Sequence, residues 1–551
     1  MKTKNVMILS AALIAVLILL SAVINRPETK TLRIIATSDL HGKFYPWDYA
    51  LNAESTSGSM AQLATAIAQY RTKDTVLVDA GDTIQDNSAE IFVDSGDVHP
   101  MIQAVNALNY DVWVTGNHEY NYRMETVKKE IAGFKCKVLT GNVYDENGDP
   151  IADGYTILER DGVRVAVIGM VTPNIKRWDA VNLEGCEVTD PLEETRKIID
   201  SIQGQYDVLV GVFHMGIENE YGMPNSGVTD ILSACPEFDV MVSSHEHRLI
   251  PSMEIGSALV VQNKYMAQTM SVIDLTLTRD GGGFRVTGRE AESIEIKDYE
   301  ADPAMLELLE IYDRQAREDA EQVIGYLKEG PLIPEADNDG IPTALLRDTA
   351  LVDLINKVQM YYTGAKVSAT VLTETGANLN PGEIRKCDMV RIYRFPNTLY
   401  KLHMTGSQLK KFMEWSVSCY NTVDPGNPVI SLKEGNQLYN NYLFAGVSYE
   451  VDVSRGPGDR IANLTWTDGT PVREDDEFDV AVNNYCANSL LLEPGEIYSG
   501  DDLPVLLETD VHGEIGGIRE LIREYIIHVK DGRIRPECDE NWEITVGEIH
   551  D

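Results

Sequence analysis

The sequence predicts a layered α/β domain followed by a second, smaller α/β domain. Three observations carry that expectation. Short runs rich in Val, Ile and Leu, at residues 32–37, 75–79, 111–114, 207–213 and 238–242, are each bounded by Gly or polar residues. Such runs read as buried strands of a sheet covered on both faces. Helix-patterned stretches at 59–70 and 191–202 alternate with them, which gives a layered domain over residues 31–298. A stretch rich in Pro, Gly, Asp and Asn, residues 331–342, then marks a boundary.

Taken in order, the chain opens with Lys2 and Lys4 before an uncharged stretch at 5–25 dominated by Ile, Leu, Val and Ala, closed by Arg26. A secretory core runs about 7 to 15 residues and a spanning helix needs about 20, so this stretch sits near the spanning length. Ser21-Ala22-Val23 only poorly approximates a cleavage signal, and no lipobox cysteine is present. Residues 1–30 therefore read as an uncleaved signal anchor, positive side inside; a cleaved signal peptide is the alternative. Either way the expectation is an extracytoplasmic protein, cell-surface anchored or secreted, touching the membrane through this segment if it is uncleaved.

Beyond the first domain, residues 301–327 are charged and helix-patterned, with Leu306, Leu308, Leu309 and Tyr312 at near-helical spacing. They read as a connecting helix within a linker at 299–340. Residues 341–551 form the second domain, which opens with an amphipathic helix at 348–362. No internal repeat is evident.

Composition limits the partners. Over 551 residues, 87 acidic side chains face 47 basic ones, a formal net charge of -40. Such a surface repels polyanions, which argues against polymeric nucleic acid as a partner and leaves a small anionic substrate feasible. Seven cysteines are widely spaced with no C-x-x-C pair, so no disulfide framework is expected and buried free thiols are the default.

Each predicted strand leads into residues that bind metals. The strings are Ser38-Asp39-Leu40-His41-Gly42, Ala80-Gly81-Asp82, Thr115-Gly116-Asn117-His118-Glu119, His214, and Ser243-Ser244-His245-Glu246-His247. Strand carboxyl ends are where open α/β sheets bind ligands. A dinuclear centre that hydrolyses phosphate esters needs a carboxylate able to bridge two cations, with O and N ligands around it and open positions for water and substrate. Asp39, His41 and His247 would hold one metal, Asn117, His214 and His245 the other, and Asp82 would bridge. Thiolates are absent from the set, which points to a catalytic centre with two ions of Zn, Mn, Co or Fe rather than a structural zinc site. Five of the ten histidines fall in these strings. The others, His99, His403, His512, His528 and His550, read as surface or structural residues.

The order D-x-H, GD, GNHE, H, HxH resembles the calcineurin-like metallophosphoesterases. The longer strings Thr37-Ser38-Asp39-Leu40-His41-Gly42, Gly81-Asp82-Thr83-Ile84-Gln85 and Gly116-Asn117-His118-Glu119-Tyr120-Asn121-Tyr122 are similar to the two-domain 5'-nucleotidase family. They fit best its branch of 2',3'-cyclic-nucleotide 2'-phosphodiesterase/3'-nucleotidases. The resemblance implies a layered αββα metallophosphoesterase domain followed by a smaller α/β 5'-nucleotidase C-terminal domain. It implies hydrolysis of 2',3'-cyclic nucleotides to 3'-nucleotides and of these to nucleosides and phosphate. It also implies that His118, beside Asn117, is a catalytic histidine that steadies charge developing on the phosphoryl group or leaving oxygen.

In that family the second domain supplies a nucleoside pocket, two aromatic rings around the base and an arginine near the sugar or phosphate. The strings Asn380-Pro381-Gly382-Glu383-Ile384-Arg385 and Asn483-Asn484-Tyr485 match it. They make Arg385 and Asn380 substrate contacts and Tyr485 one ring. The other ring is Tyr439 or Tyr442, where the chain departs from the family's usual pattern. Cys486-Ala487-Asn488-Ser489-Leu490 replaces a Gly-Gly-Asp-Gly string, and Asn121 stands where an aspartate often supports the catalytic histidine. Both departures, with histidine at 247, favour the cyclic-phosphodiesterase branch. The alternatives are a 5'-nucleotidase or nucleotide-sugar hydrolase and, more remotely, a surface nucleoside-binding protein without catalysis.

Overall fold

The computed structural model describes residues 28–93, 95–334, 341–372, 374–395, 397–500, 502–513 and 515–547. The segment expected to anchor the chain lies, up to residue 27, outside the described residues, as do positions 335–340 of the expected boundary loop. Among the described residues no helix is long and apolar enough to cross a membrane. The chain divides into two compact units. One gathers the residues up to Pro46 with Thr56–Lys176 and Asn182–Glu310; the other gathers Trp47–Ser55, Arg177–Val181 and the chain from Ile311 onward.

In the first unit the expected runs are strands, and they fall in two sheets, as the αββα layering implied by the resemblance requires. Thr29–Thr37, Thr75–Asp79, Val112–Val114 and Lys137–Leu139 pair in parallel, and two antiparallel strands, Thr269–Asp280 and Gly283–Glu295, extend one edge. In the second sheet Val163–Val171, Val208–His214, Val240–Ser243 and Ala258–Gln262 are parallel, with antiparallel Tyr155–Arg160 and Ile250–Ile255 at its edges.

Side-chain alternation explains the layering. Ile34, Ala36, Val76, Val78 and Val112 from one sheet interleave with Val165, Val167, Val210, Val212 and Val242 from the other in a single buried cluster. Their odd-numbered or even-numbered neighbours point the other way and are buried too: Ile35, Leu77 and Trp113 on the first sheet, Ile168, Leu209 and Met241 on the second. Those of the second sheet meet Ile199 and Ile202 of helix Pro191–Ile202 and Ile231 of helix Val228–Ala234. Both faces of each strand therefore need apolar residues, which is why the runs are continuous instead of alternating.

The second unit is built on a five-stranded sheet in the order Leu443–Ala445, Val367–Thr370, Glu477–Asn483, Leu399–Thr405, Val505–Glu508. Helices Ala350–Thr363 and Gly406–Ser416 contribute to the same core as its strands. The expected connecting helix is shorter than its charge pattern: it spans Pro303–Ala320, and Val323–Leu327 is a strand paired with Gly382–Arg385 and Arg533–Ile534. Val-Ile-Gly-Tyr-Leu is a short β-branched and aromatic run, and its strand partners are remote in sequence, so local periodicity misassigned it. All seven cysteines are free thiols, five of them buried.

Candidate active site

The ligand-type residues stand where strands of both sheets end. Asp39, Asp82 and Asn117 lie just past Thr37, Asp79 and Val114; His214 ends its strand, and His245 and His247 follow Ser243. The chain must turn sharply there, and it does so in an uncommon conformation: φ is +52° at Asp39, +44° at His41, +54° at Asp82, +77° at His245 and +56° at His247. Left-handed backbone at side-chain-bearing residues is costly and clusters at functional sites. Two glycines permit the close approach of loops. A Cβ on Gly81 would fall on the backbone of Gly116, and one on Gly116 would fall on Asp82.

The side chains converge in two groups that share one carboxylate. Asp39, His41, Asp82 and His247 place ligand atoms within 4.8 Å of one another, and so do Asp82, His214 and His245. The amide oxygen of Asn117 lies 2.9 Å from His214 Nε2 and 2.7 Å from His245 Nδ1, which brings it into the second group. His41 Nε2 and His247 Nε2 are 2.9 Å apart. His41 Nδ1 sits 3.2 Å from Gln85 Oε1 and His214 Nδ1 2.6 Å from Ala80 O. With these outer nitrogens donating, the neutral form of each ring carries its lone pair on Nε2, toward the centre. Imidazole nitrogens, an amide oxygen and carboxylate oxygens gathered this closely suit cations between them, so this donor set fits divalent metal ions.

The electrostatics agree. Against the burial that opposes it, the charge and hydrogen bond of Asp82 and the charge of Asp39 raise His214 to about 10. Burial lowers His41 and His247 to about 4. Burial works against the charge of Asp82 as well, yet the surrounding histidines hold it well below the usual carboxylate range. The field around Asp82 thus draws in positive charge.

His118 opens a short turn, His118–Asn121, and its backbone N–H donates to Asp82 Oδ1 at 2.8 Å. Its ring meets that of His41 edge-on at 5.3 Å, and its Nδ1 lies 2.7 Å from Asn121 Oδ1. Asn121 is a neutral acceptor: it fixes the tautomer without adding charge.

The arrangement rests on further residues to which the motifs assign no role. Glu119, 1% exposed, accepts from Asp82 N, Thr83 N, Ile84 N and Gly116 N at 2.6–3.3 Å, tying two ligand loops together. Asp79 accepts from Thr37, Gly81 and Thr83, and burial nonetheless pushes it up to about 7. Tyr265 stacks on His247 at 5.0 Å. Glu220 lies 3.1 Å from His245 Nε2. Glu119 belongs to the G-N-H-E string and was visible in it; Glu220 sits in a loop without pattern, and no sequence signal marks it.

In the second unit, Tyr439 and Tyr485 stand edge to face, ring centroids 6.3 Å apart, with Tyr439 39% exposed. Tyr442 does not share that surface. It is 2% exposed and packs its ring against Phe412 at 5.1 Å, so it is a core residue, which removes it as a stacking candidate. Arg385 closes strand Gly382–Arg385 and pairs with Glu383 at 3.2 Å, and Asn380 is exposed in the loop before that strand.

Comparison with known proteins follows the same division. Residues 32–249 match the calcineurin-like phosphoesterase family, and residues 323–490 match the 5'-nucleotidase C-terminal domain. A 2',3'-cyclic-nucleotide 2'-phosphodiesterase/3'-nucleotidase of Haemophilus influenzae is 29% identical over 93% of this chain and 87% of its own. A trifunctional nucleotide phosphoesterase protein of Bacillus subtilis is 27% identical over 93% of this chain, which spans 39% of that longer protein. Among solved structures, a Staphylococcus aureus chain described provisionally as a 5'-nucleotidase superposes with a TM-score of 0.77 at 20% identity, covering 94% of this chain and 100% of that one. That likeness speaks for the fold. With both domains matched and the fold shared, the chain belongs to the two-domain 5'-nucleotidase family of calcineurin-like metallophosphoesterases.

Proposed function

We propose that this chain hydrolyses 2',3'-cyclic nucleotides to 3'-nucleotides, and 3'-nucleotides to nucleosides and phosphate, at a centre holding two divalent ions. The observation that carries the reading is the convergence of two ligand groups on Asp82, in a chain 29% identical to a relative named for these two activities. Asp39, His41 and His247 hold one ion, Asn117, His214 and His245 the other, and Asp82 is shared; Zn, Mn, Co and Fe all suit such ligands. Divalent ions at such a site polarise phosphoryl oxygens and acidify water.

The chain's own residues do the rest. Glu119 holds the Asp82 and Asn117 loops in register, so the ligands are placed before substrate arrives. Asn121 accepts the Nδ1 proton of His118 and so orients the ring, whose imidazolium form presents a second proton at Nε2 to a phosphoryl or leaving oxygen as charge develops there. Ring opening breaks one phosphate ester bond and the second step breaks the remaining one, with a water consumed in each, so one set of residues serves both. Tyr439 and Tyr485 stack on the base, with Arg385 and Asn380 toward sugar or phosphate. The substrate is a small nucleotide, and the N-terminal segment directs the catalytic body outside the cytoplasm.

The test is product release from 2',3'-cyclic AMP, 3'-AMP and 5'-AMP by residues 28–551 with Mn or Zn present, beside Asp82→Ala. Turnover of the first two, both lost in the variant, is expected. Preference for 5'-AMP would make the chain a 5'-nucleotidase, and substantial activity in Asp82→Ala would end the shared-centre reading.

A further inference from the structure

Among the histidines around Asp82, His245 has a distinctive outer partner. The outward nitrogens of His41 and His214 meet neutral oxygens, Gln85 Oε1 and Ala80 O. His245 turns Nδ1 to Asn117, and its Nε2 lies 3.1 Å from the carboxylate of Glu220. The backbone N–H of His245 donates to Asp39 Oδ1 at 3.0 Å, so the residue is held from both sides.

Glu220 is built to be there. It sits between strand Val208–His214 and helix Val228–Ala234, in a loop closed on itself by many hydrogen bonds. Glu220 N donates to Ser226 Oγ at 2.8 Å, Ser226 Oγ to Met223 O at 2.8 Å, Gly227 N to Asn219 Oδ1 at 3.0 Å, and Asn219 Nδ2 to Asp230 at 2.6 Å. Ile217 N donates to Glu246 Oε2 at 3.1 Å, which fastens the same loop to the turn carrying His245. The Glu220 side chain is 27% exposed. Beside it stands the fully buried Asn174, whose amide oxygen has no hydrogen-bond partner among the described residues. A loop so fastened, with a polar wall behind the carboxylate, presents Glu220 to His245 as a fixed acceptor.

We infer that Glu220 is a positioning residue that makes the two ions unequal. By accepting the Nε2 proton it fixes Nδ1 of His245 as the ligating nitrogen and strengthens it as a donor. The ion held with Asn117 and His214 is therefore bound more tightly than a neutral acceptor would allow. The ion at Asp39, His41 and His247 is independent of Glu220. The inference rests on the two-ion reading above.

Metal-stripped full chain, wild type, Glu220→Gln and Glu220→Ala, is titrated calorimetrically with Mn or Zn. In Glu220→Ala one of two equivalents should weaken about 10–100-fold, the range for loss of such outer partners, with the other unchanged. Glu220→Gln, whose amide oxygen still accepts from Nε2, should fall between. With Co in place of Mn, the visible absorption of that one equivalent should shift, a change that loss of loop packing alone would not produce. Wild-type affinity at both equivalents in Glu220→Ala, or equal weakening of both, overturns the inference. A wild-type chain that fails to bind two equivalents overturns the two-ion reading, and this inference with it.

Discussion

Replacing Glu119 by glutamine removes one charge and one acceptor from the clamp between the Asp82 and Asn117 loops. The two carboxylate oxygens share four backbone N–H donors: Oε1 takes Thr83 and Ile84, Oε2 takes Asp82 and Gly116. A glutamine can offer its amide oxygen to one pair and must turn its NH2 toward the other. Two buried N–H groups then lose their acceptor, and hydrogen bonds to charged groups contribute about 1.5–3 kcal/mol each. The gross loss is roughly 3–6 kcal/mol. Burial and the charge of Asp82 already push the Glu119 carboxyl up, so removing its charge relieves some strain and the net falls near the lower end, about 3 kcal/mol. For a unit of this size that is a fall in Tm of roughly 6–12 °C. Differential scanning calorimetry of Glu119→Gln against wild type, with metal content measured on the same samples, reads both consequences. Metal content should fall together with the melting temperature, because the clamp holds Asp82 in its left-handed conformation. An unchanged Tm with a full complement of metal would refute the argument.

His118→Asn should lower kcat about 10²–10⁴-fold, the usual span for a group acting on protons or charge in the transition state, while metal content stays at the wild-type level; loss of metal would move His118 among the ligands. Tyr439→Ala should raise KM for nucleotides about 5–150-fold, from roughly 1–3 kcal/mol of stacking, with the melting temperature unchanged. Tyr442→Ala should instead destabilise by roughly 3–5 kcal/mol, as core aromatics do; the reverse pattern would return Tyr442 to the pocket. His99 is buried at the start of helix Pro100–Ala107, where Nδ1 accepts from Met101 N and Nε2 donates to Ala89 O. Burial lowers it to about 4 from 6.5, so the unfolded chain binds the proton first and the stability contribution is lost as pH falls from about 6.5 toward 4. Denaturant titration at pH 7 and pH 5 should show wild type losing about 2 kcal/mol more than His99→Gln; equal losses would contradict it.

Ligand positions were legible because each lies within five residues of the end of an apolar run, and a strand buried on both faces advertises itself as a continuous run. The two-sheet layering came from the family resemblance; which runs share a sheet was not readable from the runs themselves, since it depends on which strands pair, and Leu32 pairs with Leu275 across most of the unit. The same limit hid the strand Val323–Leu327, whose partners lie at Gly382–Arg385 and Arg533–Ile534. Tyr439 and Tyr442 are three residues apart with the same side chain; burial against Phe412 alone separates them. Glu220 was unreadable for another reason: an acidic residue in a loop is ordinary in a chain with 87 of them, and only proximity to His245 Nε2 gives it meaning.

The left-handed backbone at Asp39, His41, Asp82, His245 and His247 has a bearing on laboratory evolution. Asp and His enter that region more readily than most residues, yet glycine enters it without penalty, and the left-handed form disfavours other residues by about 1–2 kcal/mol each. At these positions, then, the substitution that relaxes the chain is one that deletes a ligand. A library selected for heat resistance alone, with no demand on turnover, should accumulate glycine where the metals are held, and its most robust members should be inert. Selecting for stability in this protein requires metal present throughout, so that binding outweighs what the backbone would gain by letting the ligands go.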